Sequence, residues 1–332
     1  MICVQVDDTS QVADARRRIA AMAETVGFDE VEVGRVSIAV TELATNLVKH
    51  GKGGALLAAM DADSALPALQ LLALDRGEGM ASVQRCMQDG YTTVGSPGTG
   101  LGAIQRQSHE LDIYSAVGAG TAIYARFEKG RVPAKAAEHP RSFGAVTLPK
   151  VGEVANGDAW AAAGTSGNRT YLVVDGLGHG EPAAEASYAA TEAFQACAGR
   201  SLTEILNTIH QALRHTRGAA VAVARTIEEQ DQLVFAGVGN IGGTIITDGQ
   251  ARKTVSRNGT VGLTIPRIQE YVYPFGPHST FFMYSDGMLT NWSCDAYPGL
   301  LARHPMLIAG VLFRDFRRER DDVTMLVAVR EH

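Results

Sequence analysis

Three short motifs in the first third of the chain carry residue types that bind charged and aromatic ligands. Glu42 and Asn46 stand four residues apart in TELATNLVKH, so on a helix both side chains project from one face. A carboxylate beside an amide can hold a hydrated Mg²⁺ and a base together. Asp75 follows an apolar segment and can accept a hydrogen bond from an exocyclic amine, while Gly77 and Gly79 let the backbone approach a flat ring.

The third motif, SPGTGLG, stands before a helix predicted over residues 101–110. It is suited to presenting backbone N–H groups and a helix N-terminus to phosphates. A plain turn or a solvated helix face explains any one of the three motifs alone, but their order and spacing together predict a nucleotide site. The candidate phosphate-binding residues are Gly98, Thr99, Gly100, Leu101 and Gly102.

A second set of candidates consists of aspartates at the ends of apolar strands in the C-terminal half. Asp158 follows a glycine, Asp175 follows YLVV, Asp286 follows FFMYS, and Asp321 and Asp322 precede VTMLV. Acidic side chains in such places are costly unless they share a counter-charge, which divalent cations bound by oxygen ligands supply. Each aspartate alone fits a simple turn, but together they predict two metal ions that activate a water for attack on a phosphoryl group.

Helices and a sheet must position the first set of residues. Apolar residues at spacings of 4, 3 and 4 predict helices through Ala15–Val26 and Val36–Leu47. The predicted strands are Ala55–Met60, Ala68–Leu74, Leu111–Ser115 and Thr121–Phe127, the last two forming a hairpin. The second strand is apolar enough to be buried on both faces. Helices against a mixed sheet predict an α/β sandwich.

Strands dominate the C-terminal half, where Ser201–His215 is the clearest helix. The pattern predicts stacked sheets flanked by helices. The segment EKGRVPAKAAEHP has two prolines and alternating charges, which is typical of an exposed linker. We therefore predict domains at residues 1–128 and 141–332 with a linker at 129–140. The predicted C-terminal strands are Thr170–Val174, Ala219–Thr226, Gln232–Val238, Gly243–Thr247, Glu270–Phe275, Thr280–Tyr284 and Val323–Val329.

Composition and charge exclude several classes of protein. A length of 332 residues predicts two domains, and a net charge of −6 lacks the basic excess that nucleic-acid binding needs. The apolar runs are far shorter than the ~20 residues of a membrane span. No export signal is visible, so we expect a cytoplasmic protein with no nucleic-acid or membrane partner. The four dispersed cysteines are expected to be buried free thiols, and Arg314–Arg320 a solvated helix face.

The N-terminal motifs resemble those of the GHKL ATPase superfamily, in particular its RsbT- and RsbW-like anti-sigma-factor and switch serine kinases, over about residues 1–128. The segments DIYS and Gly120-Thr121 add to this likeness. The resemblance implies a Bergerat-type α/β sandwich that binds ATP and Mg²⁺. It implies that Glu42 is the general base, that Asn46 ligates Mg²⁺ and that Asp75 selects adenine. Thr121 and the glycines of the motifs would complete the nucleotide site.

Histidine kinases carry similar motifs but accept phosphate on a histidine of a preceding helical hairpin. Only about 35 residues precede the Glu42 helix, and none of them is histidine. Transfer to a serine or threonine of a partner protein is therefore favoured. His50 is expected to cap the Glu42 helix rather than to accept phosphate.

The C-terminal motifs NGDAW, VVDGLGHG, YSDGM and RDDVTMLV resemble the PPM family of metal-dependent protein serine/threonine phosphatases, in its SpoIIE branch and closest to RsbX-like enzymes. The resemblance implies an α-β-β-α sandwich with two Mn²⁺ or Mg²⁺ ions. It implies metal ligation by Asp175, Asp286 and Asp321, and by Asp158 either directly or through water. The carbonyl of Gly176 would complete one metal's shell.

Two further residues of these motifs have less direct roles. His179 either acts near the leaving oxygen or fixes its own loop, and both alternatives stay open. Asp322 is expected to orient the site rather than to ligate. The GD motif lacks the second aspartate that many SpoIIE-type sequences have, so the resemblance implies a two-metal core only.

The two resemblances together imply one chain that phosphorylates and dephosphorylates STAS-domain regulators in partner switching. A phosphate adds about −1.5 to −2 charge, enough to move such a protein from one partner to another. A sigma factor or another switch effector would be a further partner. Related kinases are often homodimers, but no surface feature of the sequence decides whether this chain is one. Two alternatives stay open: an N-terminal domain that only binds nucleotide and sequesters a STAS protein or sigma factor, and a phosphatase for a small phospho-compound.

Overall fold

The computed structural model describes residues 1–61, 66–87, 100–131, 133 and 142–330. The chain divides into two compact units, Met1–His139 with Tyr297–Arg314 and Pro140–Ala296 with Asp315–His332. The segment 297–314 therefore belongs to the first unit, although it lies far along the sequence. Most of the predicted linker lies outside the described residues, and the predicted domain boundaries stay predictions.

The described helices are α1 (Thr9–Val26), α2 (Glu30–Lys49), α3 (Val83–Cys86), α4 (Gly100–Gln107), α5 (Glu181–Cys197), α6 (Leu202–Ala212) and α7 (Pro305–Phe316). The strands of the first unit are β1 (Ile2–Val6), β2 (Gly54–Met60), β3 (Ala68–Asp75), β4 (Glu110–Ser115) and β5 (Thr121–Glu128). The second unit contains β6 (Phe143–Leu148), β7 (Asp158–Thr165), β8 (Asn168–Gly176), β9 (Ala219–Ile227), β10 (Gln232–Val238), β11 (Gly242–Thr247), β12 (Gln250–Lys253), β13 (Tyr271–Pro274), β14 (Ser279–Tyr284) and β15 (Val323–Val329).

The sheet of the first unit is antiparallel throughout its described strands, in the order β1-β2-β3-β5-β4. The prediction of a mixed sheet is therefore wrong. Two helices, α1 and α2, connect β1 to β2, and because the second helix reverses the direction of the first, β2 returns antiparallel to β1. The helix predicted over 101–110 is also shorter than expected, since α4 ends at Gln107 and β4 begins at Glu110.

Local signals fix the bounds of α2, which carries part of the candidate nucleotide site. Asp29 forms a capping box with Glu32, so two of the unpaired donors at the helix start are satisfied. The helix ends at His50, whose N–H donates to the carbonyl of Asn46 at 2.9 Å. The prediction that His50 caps this helix is confirmed.

Both faces of β3 are buried, as predicted. One face packs with α1 and α2 into a common apolar core. On the other face, Leu72 and Leu74 lie under Gly310 of α7, where a Cβ would come within 2.6 Å of Leu72. His304, just before α7, stacks on Tyr124 of β5 with the ring centroids 4.0 Å apart.

The basic residue at the end of α7 corrects a prediction. Arg314 is only 8% exposed, so the expectation of a solvated face is wrong at this position. Its guanidinium donates to the backbone carbonyl oxygen of Asp75. Arg318 and Arg320 are exposed as expected, but α7 ends at Phe316, so they do not lie on the predicted helix face.

The second unit stacks two antiparallel sheets, in the described orders β13-β10-β9-β8-β7 and β12-β11-β14-β15-β6. Helices α5 and α6 pack on the outer face of the first sheet in one apolar core. A second core, with Tyr171, Phe235 and Phe281, lies between the sheets. The predicted two-domain α/β class with PPM-type stacked sheets is confirmed.

Two expectations about the whole chain can be compared with this fold. None of the helices in the described residues has both the length and the apolar character that crossing a membrane requires. All four cysteines are free, but only Cys197 and Cys294 are buried, whereas Cys3 and Cys86 are partly exposed. The expectation of buried thiols is thus correct for two of them.

Candidate functional site

Helix α2 presents Glu42 and Asn46 one turn apart, and both side chains are half-buried. Gly100, the first residue of α4, lies over them: a Cβ there would be 3.0 Å from Glu42 Oε2 and 3.8 Å from Asn46 Oδ1. No hydrogen bond joins either side chain to another described residue. Both polar groups are therefore available to a ligand. Gly98 and Thr99 lie outside the described residues.

Asp75, the last residue of β3, is held by backbone donors. Its Oδ1 accepts hydrogen bonds from the N–H of Gly77 at 2.8 Å and of Thr121 at 3.1 Å. Burial has the largest effect and raises the pKa of Asp75, although these two bonds and the charges of Arg314 and His50 oppose it. Its second oxygen accepts no hydrogen bond from the described residues, so it can receive a donor from a ligand.

The two glycines after Asp75 are required by close backbone approach. A Cβ on Gly77 would lie 2.2 Å from the carbonyl oxygen of His50, at the end of α2. Gly79 has φ +71°, and a Cβ there would lie 2.0 Å from the carbonyl oxygen of Ala116. The loop after β3 is therefore clamped between the end of α2 and the β4–β5 hairpin. This contact brings Asp75 to the same end of α2 as Asn46.

The remaining predicted nucleotide residues occupy different environments. Thr121 is 8% exposed and lies beside Asp75. Leu101 packs its side chain against the apolar core of the first unit, so only its backbone can face a phosphate. Gly102 is buried within α4.

Two residues of this site were not assigned a role from the sequence. Ser115 Oγ accepts from Met80 N–H at 2.8 Å and lies 2.9 Å from Thr121 Oγ1, so it orients the threonine. Ser115 is the last residue of the DIYS segment, and that segment could have indicated its role. Arg314 donates from Nη1 to the carbonyl oxygen of Asp75 at 2.6 Å. This contact spans 239 positions, and no sequence signal pointed to it.

In the second unit, strand pairing brings the predicted metal ligands to one edge. Asp158 at the start of β7 is directly opposite Asp175 at the end of β8. Asp286 follows β14 and Asp321 precedes β15, and these two strands are neighbours. The side chain of Asp175 affects the pKa of Asp286, so these two carboxyl groups lie close together. Four chain segments therefore contribute carboxylates to one cluster.

The carboxylates of the aspartate cluster repel one another, and the positive charges that act on them are those of Arg318 near Asp286 and His179 near Asp322. Burial raises the pKa of Asp158 and of Asp175, and the neighbouring carboxylates raise both further. In the described part of the chain, however, no three His, Cys, Asp or Glu side chains are arranged so that they could hold a metal ion as they stand. The mutual pKa effects show carboxylates within electrostatic range of one another, and oxygen donors of this kind suit Mg²⁺ or Mn²⁺.

Hydrogen bonds fix several of these carboxylates. Ser285 Oγ donates to Asp158 Oδ2 at 2.5 Å, and Asn240 Nδ2 donates to Asp286 Oδ2 at 2.7 Å. The sequence analysis missed both donors, although Ser285 stands within the YSDGM motif. Asp322 accepts from two backbone N–H groups of the loop before β7, those of Lys150 at 2.8 Å and Gly157 at 3.1 Å.

The loop after β8 carries Gly176 and His179. A Cβ on Gly176 would lie 2.2 Å from the carbonyl oxygen of Ala183, so glycine is needed where α5 crosses the strand end. His179 Nδ1 lies 3.0 Å from Glu153 Oε1, and the histidine side chain is 52% exposed. This contact joins the loop to the segment before β7, which favours the loop-fixing alternative for His179.

Comparison with protein families identifies both halves of the chain. Residues 166–331, half of the chain, match the model for stage II sporulation protein E, SpoIIE. The chain belongs to the SpoIIE family. Residues 6–127 match the model described as a histidine kinase-like ATPase domain. This SpoIIE-family protein is therefore a serine/threonine phosphatase of the PPM type, joined to a GHKL-type ATPase domain.

Individual relatives cover either half. The serine/threonine-protein kinase RsbT of Bacillus subtilis (strain 168) is 31% identical over 123 residues, which are 37% of this chain and 92% of RsbT. A solved structure from work on the bacterial stressosome is 28% identical with a TM-score of 0.53, covering 56% of this chain and 98% of its own. RsbX in complex with magnesium is 20% identical with a TM-score of 0.48, covering 58% of this chain and 96% of RsbX.

Proposed function

We propose that this SpoIIE-family protein phosphorylates a serine or threonine of a STAS-domain regulator with ATP and removes the same phosphate at its second site. The observation that supports the proposal is that each unit contains a separate cluster of side chains suited to phosphate chemistry. In one unit, Glu42 and Asn46 have no side-chain hydrogen-bond partner among the described residues, and Asp75 lies at the same end of α2 as Asn46. The aspartates crowd at four strand ends in the other.

The first site supports phosphoryl transfer from ATP. The free oxygen of Asp75 would accept the exocyclic amine of adenine, and Asn46 would ligate the Mg²⁺ that accompanies ATP. The substrate hydroxyl oxygen would bond to the γ-phosphorus while the bond to the ADP oxygen breaks, and Glu42 would take the hydroxyl proton. Gly100 lets the start of α4 approach Glu42 closely.

The second site supports phosphate ester hydrolysis. Asp175, Asp286 and Asp321 would hold two Mg²⁺ or Mn²⁺ ions, with Asp158 and the Gly176 carbonyl completing the set, after the side chains draw together. Bound divalent ions would supply an activated water and charge stabilisation. The remaining aspartate, Asp322, would keep the preceding loop in place through its two backbone hydrogen bonds.

The choice of a STAS-domain substrate is supported by the relatives. The kinase relative is RsbT, of which this chain covers 92%, and a similar solved structure comes from work on the bacterial stressosome. Opposing activities on one chain act on the same partner at a high effective concentration. A sigma factor or another effector released by the switch would be the downstream partner.

Replacement of Glu42 by alanine tests the kinase. Purified protein is incubated with ATP and a STAS-domain protein, and serine phosphorylation is followed over time. The matched control is Glu24→Ala, which alters an exposed glutamate of α1. We expect Glu42→Ala to lose transfer while it still binds ATP. Equal transfer by both variants would remove the base assignment, and ATP binding without transfer by the unmodified protein would support the sequestering alternative.

Replacement of Asp175 by asparagine tests the phosphatase. The Mn²⁺-dependent release of phosphate from a phosphorylated STAS protein should disappear in Asp175→Asn and persist in Asp248→Asn, which alters an aspartate in the turn between β11 and β12. Release only from small phospho-compounds would favour the alternative of a small-molecule phosphatase.

A further inference from the structure

Arg217 lies beside the loop that follows Asp175. A Cβ on Gly178 would be 3.1 Å from Arg217 Nη1, and the N–H of Leu177 donates to the carbonyl oxygen of Gly218 at 3.0 Å. The arginine is exposed, and no ion pair or hydrogen bond joins its side chain to another residue that the structure describes. A guanidinium without a partner among the described residues therefore lies beside the loop that follows Asp175.

Large apolar side chains are exposed on both sides of this arginine. Leu177 is 45% and Leu263 is 60% exposed, and on the loop before β7 Val151 is 69% and Val154 is 96% exposed. An isolated exposed apolar residue needs no explanation, but a group around a charged site is typical of a binding surface. A partner that covered such side chains would remove apolar surface from water, which favours binding.

Contacts between loops show that these residues surround one place. Leu263 Cγ lies 3.4 Å from the position of a Cβ on Gly218, next to Arg217. Glu153, between the two valines in sequence, bonds to His179 at 3.0 Å. The loops that carry Val154, Leu177 and Leu263 therefore meet around the strand ends that carry the aspartates.

We propose that Arg217 and these four apolar residues, the docking rim, bind the phosphorylated partner protein, with Arg217 on the phosphoryl oxygens. The inference rests on the proposed phosphatase function. A guanidinium offers paired N–H donors that match a phosphate, and those of Arg217 are not used by any of the residues that the structure describes. The apolar flanks suit the surface of a folded phosphoprotein, which can cover them, whereas a small phospho-compound would leave them exposed.

The arginine is tested with the Mn²⁺-loaded protein. Inorganic phosphate binding is measured by calorimetry, and KM and kcat are measured with p-nitrophenyl phosphate and with a serine-phosphorylated STAS protein. Arg217→Ala should weaken phosphate binding and raise KM for both substrates roughly tenfold, with Mn²⁺ affinity unchanged. Arg217→Lys should recover part of the loss, and Arg214→Ala, an exposed arginine three positions earlier, should change neither value.

The apolar part is tested by introducing a charge. Val154→Asp and Leu263→Asp should raise KM for the phosphoprotein at least several-fold and leave KM for p-nitrophenyl phosphate unchanged. Val272→Asp, on β13 with 59% exposure, is the matched control and should have no effect.

The outcomes separate this inference from the proposed function. Unchanged phosphate binding in Arg217→Ala, or a parallel loss of Mn²⁺ affinity, would overturn the role of Arg217. Unchanged phosphoprotein KM in both apolar variants would overturn the protein-docking role of the rim. An unmodified protein that hydrolyses p-nitrophenyl phosphate but no phosphoprotein would contradict the proposed function, while phosphate calorimetry would still decide whether Arg217 contacts the anion.

Discussion

At the scale of single residues, Asp75 shows how the fold prepares one carboxylate for a ligand. One oxygen is held by the backbone N–H groups of Gly77 and Thr121, so the orientation of the group is fixed before any nucleotide arrives. Burial raises the pKa of the carboxyl despite these bonds. The same burial strengthens a hydrogen bond to a ligand, because water does not compete for the free oxygen.

The raised pKa of Asp75 predicts that ATP binding depends on pH. The ionised group is the better acceptor, so ATP affinity should fall as the pH is lowered through the raised pKa, above the range of an ordinary aspartate. The groups that face Asp75 are His50 and Arg314, both of which favour its ionised form. Titration of ATP affinity against pH should show this fall, and Asp75→Asn should bind more weakly with a flatter profile.

The raised pKa of Asp75 affects folding stability in the opposite direction: lowering the pH weakens ATP binding but stabilises the folded protein. Because the folded state binds the Asp75 proton more tightly than the unfolded state, the ionised carboxylate costs stability above its folded pKa, and lowering the pH relieves this cost. An ATP affinity that stays constant through this pH range, with Asp75→Asn equal to the unmodified protein, would contradict the adenine assignment.

The buried Asp158 leads to a second prediction at this scale. Burial and like charges raise its pKa, so the carboxylate destabilises the ion-free protein. Asp158→Asn should raise the free energy of unfolding of the ion-free protein by about 1 kcal/mol or more, since asparagine can still accept from Ser285. Thermal unfolding with and without Mn²⁺ measures this, and the stabilisation by Mn²⁺ should be largely lost. If ion-free Asp158→Asn were less stable than the ion-free unmodified protein, the Asp158 carboxylate would not be destabilising.

At the scale of elements, the loop after β3 depends on close contact with the β4–β5 hairpin. Gly79→Ala would place a Cβ 2.0 Å from the carbonyl oxygen of Ala116 at φ +71°. We expect a loss of roughly 2–4 kcal/mol in the free energy of unfolding, together with weaker ATP binding, because the loop must move away. Denaturant unfolding and ATP titration measure the two effects.

Gly118, in the β4–β5 hairpin that contacts Gly79, provides the matched control. It also has a positive φ, +78°, but nothing lies within 4 Å of a Cβ there. Gly118→Ala should therefore cost only about 1 kcal/mol, the conformational part of the penalty. Equal losses in the two variants would show that backbone conformation, and not contact with Ala116, is what requires Gly79.

At the scale of the whole molecule, the first unit is discontinuous in sequence. The segment Tyr297–Arg314 belongs to it and covers the face of the sheet that α1 and α2 leave open. Arg314 also bonds to the carbonyl of Asp75, and Arg76 bonds to the carbonyl of Arg314. The nucleotide site is therefore supported by residues from far along the chain.

A fragment that ends at residue 139 should therefore be less stable than the same unit in the full chain. It would expose Leu72, Leu74 and Tyr124, each buried to 2% exposure or less, at about 1.5–3 kcal/mol for each side chain that returns to water. Hydrogen exchange of the β3 amides in the fragment and in the full chain measures the difference. Full-length Asp175→Asn should keep the protection of the full chain. Equal protection in the fragment would show that α7 contributes little.

The sequence by itself determined the family, the two sets of chemical residues and most of the strands. Motif spacing places Glu42 beside Asn46 on any helix, and strand-end aspartates follow directly from the apolar runs before or after them. These features are local, so a few neighbouring residues suffice to predict them. The both-sided burial of β3 was predictable for the same reason.

Tertiary structure alone decided which distant elements complete the sites. The apolar pattern of β3 shows that both of its faces are covered, but it does not say that α7 covers one of them. Ser285 and Asn240 are likewise connected to their aspartates by strand pairing and loop packing across the second unit. The type of a side chain predicts whether it needs an apolar or a hydrogen-bonding partner. Which residue becomes that partner depends on the path of the chain in three dimensions, because the partners are distant in sequence.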